Sequence, residues 1–127
     1  MSVAQGSLNP SDNRTIGLIS LAHGTSHFYH LVLPPLFPWL KIEFALSYAE
    51  LGLLMTIFFV VSCVVQASSG FLVDHKGARP VLFAGVGLLA MSALTYAVSS
   101  SYVGLVIGAV LMGCGNGVFH PVDYTLM

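Results

Sequence analysis

The 127-residue sequence contains very little charge: Lys and Arg total four, Asp and Glu total five, and together they make up 7% of the chain. Soluble domains carry about 25% charged residues, so this chain cannot cover a water-facing surface. Its net charge of −1 provides no broad basic surface, which argues against nucleic acid as a partner. Cysteine is scarce, and Cys63 and Cys114 both lie inside apolar stretches, which favours small buried side chains over a disulfide or a metal pair. The sequence therefore predicts an integral membrane protein.

The first long stretch without formal charge covers residues 15–40. About 20 helical residues cross a hydrocarbon core roughly 30 Å thick, so this stretch is long enough for a first span. Three prolines near its end are expected to bend or end the helix, because proline removes a backbone donor and clashes with the preceding turn. They are Pro34, Pro35 and Pro38. Lys41 and Glu43 are then expected to form a short polar link.

The rest of the chain contains enough apolar sequence for three further spans. Residues 48–73 predict the second, with Glu50 near its start, where a carboxylate suits the positive end of a helix. Residues 81–122 again lack formal charge, but this run is too long for one crossing, and the serines at 99–101 provide a break. The third and fourth spans are predicted at about 80–98 and 102–124. The predicted fold class is thus all-α, with about four transmembrane helices.

The few basic residues predict the orientation of these spans. Arg14, Lys76 and Arg79 fall on one side of the predicted membrane and Lys41 on the other. By the positive-inside rule, residues 1–14 form a cytoplasmic tail, and residues 15–127 form a multi-pass bundle in the inner (plasma) membrane. Glycines spaced four apart in the fourth span predict close contact with neighbouring helices. They are Gly104 and Gly108, then Gly113 and Gly117, with Gly115 between the last two.

Three histidines share one face of the first predicted helix. His23, His27 and His30 are spaced four and three residues apart. A polar face is costly against lipid, so it is expected to line the interior of a bundle or a wet cavity. Histidine titrates near neutrality, which makes a proton relay or an anion site chemically reasonable. Neutral histidines that bond to neighbouring helices are the alternative. No metal site is predicted, because the first span offers no carboxylate or thiolate to complete one.

Other polar residues mark the second and fourth spans. Gln66 lies on one helix face with Ser62 and Ser69, and it is the costliest of the three to leave unpaired in lipid. Asn116, His120 and Asp123 lie at the end of the fourth span, where His120 and Asp123 are three residues apart and could pair across one turn. Pro121 predicts a kink near Gly117. These polar residues are candidates for lining a cavity and for proton or substrate contact.

A loop motif between the second and third spans carries a family resemblance. Seven of its residues match at the correct spacing, whereas His75 and Ala78 stand where the pattern has basic residues. The matching residues are Gly70, Leu72, Val73, Asp74, Gly77, Arg79 and Leu82. This loop resembles the signature of the major facilitator superfamily of transporters. The segments 20–24, 44–48 and 119–121, with the three prolines of the first span, look like its fosmidomycin-resistance-type branch.

The resemblance implies a secondary active transporter, a proton-coupled antiporter that exports small molecules by alternating access. It also implies that Gly70, Asp74, Gly77 and Arg79 belong to a loop that helps to hold one conformational state. Family members have about twelve spans in two halves, so this chain is expected to be a truncated N-terminal portion that lacks its C-terminal spans. Small molecules, protons and the lipid bilayer are the expected partners, with no cofactor.

Two other classes of membrane protein fit part of the pattern. One is a complete four-span small multidrug transporter that works as a dimer, although such transporters rely on an acidic residue that residues 15–40 lack. The other is a membrane interaction module that transports nothing. An enzyme is not predicted, because no nucleophile and base are evident as a pair.

Overall fold

The computed structural model describes the backbone of residues 10–126, and the side chains of residues 13–122 and of Thr125. The only regular secondary structure in this part of the chain is helix, and it contains no strand. The helices are α1 (Pro10–Glu43), α2 (Tyr48–Lys76), α3 (Ala78–Val98), α4 (Tyr102–Gly117) and α5 (Phe119–Leu126). The prediction of an all-α membrane fold is thus confirmed.

Within the described residues, three helical stretches are long and apolar enough to cross a membrane. They are Tyr48–Lys76, Ala78–Val98 and Tyr102–Val122, and they overlap the second, third and fourth predicted spans. Helix α1 is longer than any of them, but its histidines, prolines and terminal charges lower its mean hydropathy. The crossing of the membrane by α1 therefore stays a prediction.

Helix α1 extends beyond the predicted span at both ends. It begins at Pro10, where the fixed φ of proline suits the first turn, so residues 10–14 are helical. It continues past all three prolines to Glu43, so of the two expected effects the end of the helix is excluded, whereas a bend stays a prediction. Leu33 and Leu40, which flank the prolines, are both buried in the core, and this packing outweighs the lost backbone bonds. Lys41 and Glu43 therefore lie in the last turn of α1.

Different structural features define the two ends of α2. At its start, Ser47 and Glu50 form a reciprocal capping box: the Ser47 amide donates to the Glu50 carboxylate at 2.7 Å, and the Glu50 amide donates to the Ser47 hydroxyl at 3.2 Å. The expected stabilising role of Glu50 at this helix end is confirmed. At the other end, Gly77 alone separates α2 from α3, with φ of +84°, which favours glycine because it has no Cβ.

Helix α4 packs between α2 and α3 through its glycines. A Cβ at Gly117 would lie 2.6 Å from the carbonyl oxygen of Ser62 in α2, and a Cβ at Gly115 would lie 2.8 Å from that of Gly85 in α3. Gly113 approaches α2 with similar closeness. Backbones in contact at such distances leave no room for a side chain, so the predicted role of these glycines in packing is confirmed.

The helix that follows α4 is separated from it by a single residue. Val118 interrupts the helix between Gly117 and Phe119, and Pro121 explains the break because it has no amide hydrogen to donate to the carbonyl one turn earlier. The interruption lies where the kink near Gly117 was predicted, and the bend itself stays a prediction. The break directs Phe119 into the core beside α3, and it places His120 next to α1.

Candidate functional site

A buried asparagine joins three helices in the middle of the bundle. The amide oxygen of Asn116 in α4 accepts a hydrogen bond from the hydroxyl of Ser26 in α1 at 2.5 Å. Its amide nitrogen donates to Nε2 of His30 in α1 at 2.8 Å and to the hydroxyl of Ser62 in α2 at 2.9 Å. Asn116, Ser26 and Ser62 are each at most 5% exposed. Because unpaired polar groups are costly in a membrane, this cluster fixes the relative register of α1, α2 and α4.

Four histidines form a cluster beside this asparagine. The ring centroids of His23 and His27 lie 4.6 Å apart, and those of His27 and His30 lie 5.3 Å apart. His120 of α5 joins them, with its ring centroid 5.2 Å from His23 and 6.2 Å from His27. The structure therefore brings together the predicted stripe of α1 and a histidine almost a hundred positions later in the sequence.

The closest histidine pair is joined by a single hydrogen bond. Nε2 of His23 and Nε2 of His27 lie 2.9 Å apart in a hydrogen bond, so one of these nitrogens carries the hydrogen and the other accepts it. In this geometry the two rings cannot both be imidazolium ions, because each Nε2 would then be a donor. One hydrogen thus lies between the two Nε2 atoms, and His30 connects the pair to the Asn116 cluster. Such an arrangement can accept, hold and pass protons.

Gln66 occupies a different place from the one its spacing suggested. Ser62 and Ser69 of the same predicted face are buried against α4, whereas Gln66 is exposed. It lines a groove of about 490 Å³ together with His120 and residues of α2 and α5. These are Cys63, Ala67 and Pro121. The groove lies next to the histidine cluster through His120.

The sequence predicted no metal site, and it predicted that His120 and Asp123 could pair. Among the described side chains, no three His, Cys, Asp or Glu residues are arranged to hold a metal ion. The side chain of Asp123 lies outside the described residues, so its predicted pairing with His120 stays a prediction.

One member of the Asn116 cluster, Ser26, was not predicted from the sequence. Ser26 lies three residues after His23 and four before His30, so it belongs to the histidine face of α1. That spacing was a usable signal. Because serine is frequent in membrane helices, this spacing alone does not single out Ser26. Its hydrogen bond to Asn116, ninety residues further on, does.

The residues of the predicted switch loop surround the one-residue turn at Gly77. Asp74 lies in the last turn of α2 and Arg79 in the first turn of α3, and both side chains are exposed. Within the part of the chain whose side chains are described, neither has an ion-pair partner. Gly70 lies in α2, more than one turn before the end of the helix, and a Cβ at this position would meet no atom within 4 Å.

Comparison with known proteins agrees with this architecture. The model of the Major Facilitator Superfamily matches residues 19–127. The Fosmidomycin resistance protein of Escherichia coli (strain K12) is 26% identical over 106 residues, which cover 84% of this chain and 26% of that protein. The Uncharacterized MFS-type transporter YfnC of Bacillus subtilis (strain 168) is 25% identical over 104 residues, 82% of this chain and 25% of the relative. The chain spans about a quarter of the length of these curated relatives. No solved structure matches.

Proposed function

The chain belongs to the major facilitator superfamily, and we propose that its helices form part of a secondary transporter that exports a small molecule in exchange for protons. The polar cluster of Asn116, Ser26, His30 and Ser62 is the observation that carries this proposal. It adjoins four histidines of α1 and α5. Intramembrane polar groups are expensive and mark substrate or proton pathways, and packing alone does not need titratable side chains.

The proton role is assigned to His23, His27, His30 and His120. The shared hydrogen between His23 and His27 supports it, and so does the exposure of His27 beside half-buried neighbours, because a relay needs one member that protons can reach from outside the cluster. Gln66 lines the groove that reaches His120, and we assign it to the substrate pathway. Asp123 is included in this pathway by its position one turn after His120.

One of the relatives is named Fosmidomycin resistance protein, and this name supports the export of a drug-like substrate. At 26% identity, the likeness supports the transport class and leaves the substrate to experiment. Since the chain spans about a quarter of its relatives' length, we propose that further helices complete the substrate cavity. In this family fold, substrates bind between two related halves.

Asp74 and Arg79 are proposed as parts of a conformational switch. Asp74 lies at the negative end of α2 and Arg79 at the positive end of α3, where the helix dipoles disfavour each charge. Charges in such places are explained by contacts with partners in one conformational state of the transporter. We place this turn, Lys76 and the N-terminus on the cytoplasmic side of the inner membrane.

The test is drug accumulation in cells that express the gene encoding these helices. Accumulation of a panel of small antibiotics that includes fosmidomycin is measured before and after a protonophore collapses the proton gradient. We expect lower accumulation than in cells with the empty vector, and loss of the difference with the protonophore. Export that survives the protonophore would contradict proton coupling. Accumulation equal to the empty-vector level across the panel would contradict an export role.

A further inference from the structure

The hydrogen bonds of Asn116 determine which nitrogen of His30 carries its hydrogen. The amide nitrogen of Asn116 is a donor only, and it lies 2.8 Å from Nε2 of His30. With the amide in this orientation Nε2 must present its lone pair, which corresponds to a neutral His30 imidazole with its hydrogen on Nδ1. The second amide hydrogen is used by Ser62, and the amide oxygen is used by the hydroxyl of Ser26.

An imidazolium ion at His30 is incompatible with this arrangement. Both of its ring nitrogens are donors, so Nε2–H would point at the Asn116 amide hydrogens. A half-turn of the Asn116 amide about its last torsion removes the conflict, because the oxygen then faces His30 and Ser62, and the nitrogen faces Ser26. Serine hydroxyls both donate and accept, so each of the three partners stays bonded. The contact with His30 also becomes a charge-assisted hydrogen bond, which is stronger than a neutral one.

Building on the proton role proposed above, we propose that Asn116 is a positioning residue whose amide turns over when His30 gains a proton. The turn reverses the direction of the hydrogen bonds to Ser26 in α1 and to Ser62 in α2. Protonation at one ring nitrogen is thereby conveyed to the contacts of three helices, and Asn116 keeps three hydrogen-bond partners in both orientations. An element with two such bonded states is what a transporter needs to link proton binding to helix movement.

Several groups surround His30 and bear on its protonation. His27 and His23 lie on its own helix, and His120 faces it from α5. Helix α2 presents the rings of Phe58 and Phe59, with centroids at 5.1 and 5.9 Å, and α4 presents Asn116. Among the described side chains, Asn116 is the hydrogen-bond partner of Nε2 of His30, so the state of that nitrogen is set at this contact.

The experiment is nitrogen NMR of the 127-residue chain in lipid bilayers, labelled with ¹⁵N at histidine and asparagine. The shift of a ring nitrogen distinguishes one that carries hydrogen from one that does not, and the His30→Gln chain assigns the signals of His30. At alkaline pH we expect hydrogen on Nδ1 and none on Nε2. On acidification we expect Nε2 to gain hydrogen, and the side-chain amide signals of Asn116 to change with the same midpoint.

Two variants test the positioning role. In Asn116→Asp, the carboxylate only accepts, so we expect Nε2 of His30 to carry hydrogen even at alkaline pH. In Ser26→Ala, the amide orientation loses its anchor, and both neutral forms of His30 should appear. Thr25→Ala is the matched control, because the Thr25 hydroxyl bonds to the carbonyl of Leu21 on its own helix. It should leave the signals of His30 unchanged.

The proposal is overturned if Nε2 carries hydrogen at alkaline pH in the unmodified chain, or if His30 titrates while the Asn116 amide signals stay constant. It is equally overturned if the folded Ser26→Ala chain keeps a single neutral form of His30. None of these measurements involves transport. Proton-independent export in cells would therefore contradict the proposed function and leave the behaviour of Asn116 intact.

Discussion

The hydroxyl of Ser69 donates to the carbonyl oxygen of Gly117 at 3.3 Å, across the interface between α2 and α4. This carbonyl is the one that would accept from residue 121 in a continuous helix, and Pro121 has no hydrogen to donate. The neighbouring helix thus satisfies the backbone group that the break exposes, as membrane proteins require. The break at Val118 is therefore a bonded part of the structure.

Replacement of Ser69 by Ala should destabilise the bundle by about 1 kcal/mol, since interhelical hydrogen bonds in membranes are worth about that much. The matched control is Ser68→Ala, because the hydroxyl of Ser68 is exposed and bonds to carbonyls of its own helix. Unfolding by SDS titration from a mild detergent, followed by circular dichroism, measures the difference. Equal effects of the two variants would contradict the role given to Ser69.

Replacement of Gly113 by Ala should destabilise the bundle by about 1–3 kcal/mol, the usual cost of excess volume in a packed interior. The added Cβ would lie 2.8 Å from the carbonyl oxygen of Phe58, a backbone atom that cannot turn aside. Gly87→Ala in α3 is the control, because its Cβ would meet nothing within 4 Å. The same titration checks the prediction, and a Gly113 variant as stable as the control would refute it.

Replacement of Gly77 by Ala should destabilise the chain by about 1–3 kcal/mol, because φ of +84° with ψ of 156° is a conformation in which a Cβ is strained. Gly70→Ala is the control: it belongs to the same loop motif, has ordinary helical geometry and faces open space. Thermal unfolding in detergent compares the two. If both variants unfold at the same temperature, the strain at position 77 has been overestimated.

Replacement of His27 by Gln should reduce proton-stimulated export by about fivefold or more, since coupling free energies between sites are about 1–3 kcal/mol. Glutamine keeps a polar side chain but does not titrate, so the shared hydrogen with His23 is lost. His75→Gln is the control, because His75 lies at the exposed end of α2 and bonds to the carbonyl of Phe71. Export is measured in inverted membrane vesicles over a pH series. An unchanged pH profile for the His27 variant would exclude it from the relay.

Replacement of Asp74 by Asn should lower the rate of export by about fivefold or more, because the loss of one charge changes the balance of two conformational states by about 1 kcal/mol or more. The stability of the isolated chain should stay nearly constant, since the side chain is exposed. Export rates and SDS titration are measured in parallel. Unchanged export would remove Asp74 from the switch.

Local patterns in the sequence predicted local structure well. The spacing of His23, His27 and His30 depends only on the helical period, and Pro121 acts one turn from itself. The glycines of α4 were recognised because a membrane interface needs small residues. For the histidines and for Pro121, the cause and the effect lie within a few residues of each other.

The remaining features depend on contacts between distant segments. That His120 joins the histidines of α1 follows from the break at Val118 and the packing of α5, which no short-range pattern encodes. The passage of α1 through its prolines depends likewise on the burial of Leu33 and Leu40. Asn116 was predicted as a polar lining residue, but its role as the junction of three helices required the positions of Ser26 and Ser62.

Packing of α4 between its neighbours has a consequence for biogenesis. Helices α2 and α3 contact α4 far more extensively than they contact each other, so the α2–α3 hairpin has few contacts of its own before α4 is synthesised. The glycine surfaces of α4 are synthesised only after α2 and α3. We therefore expect substitutions in the glycine surfaces of α4 to act as defects of assembly during synthesis.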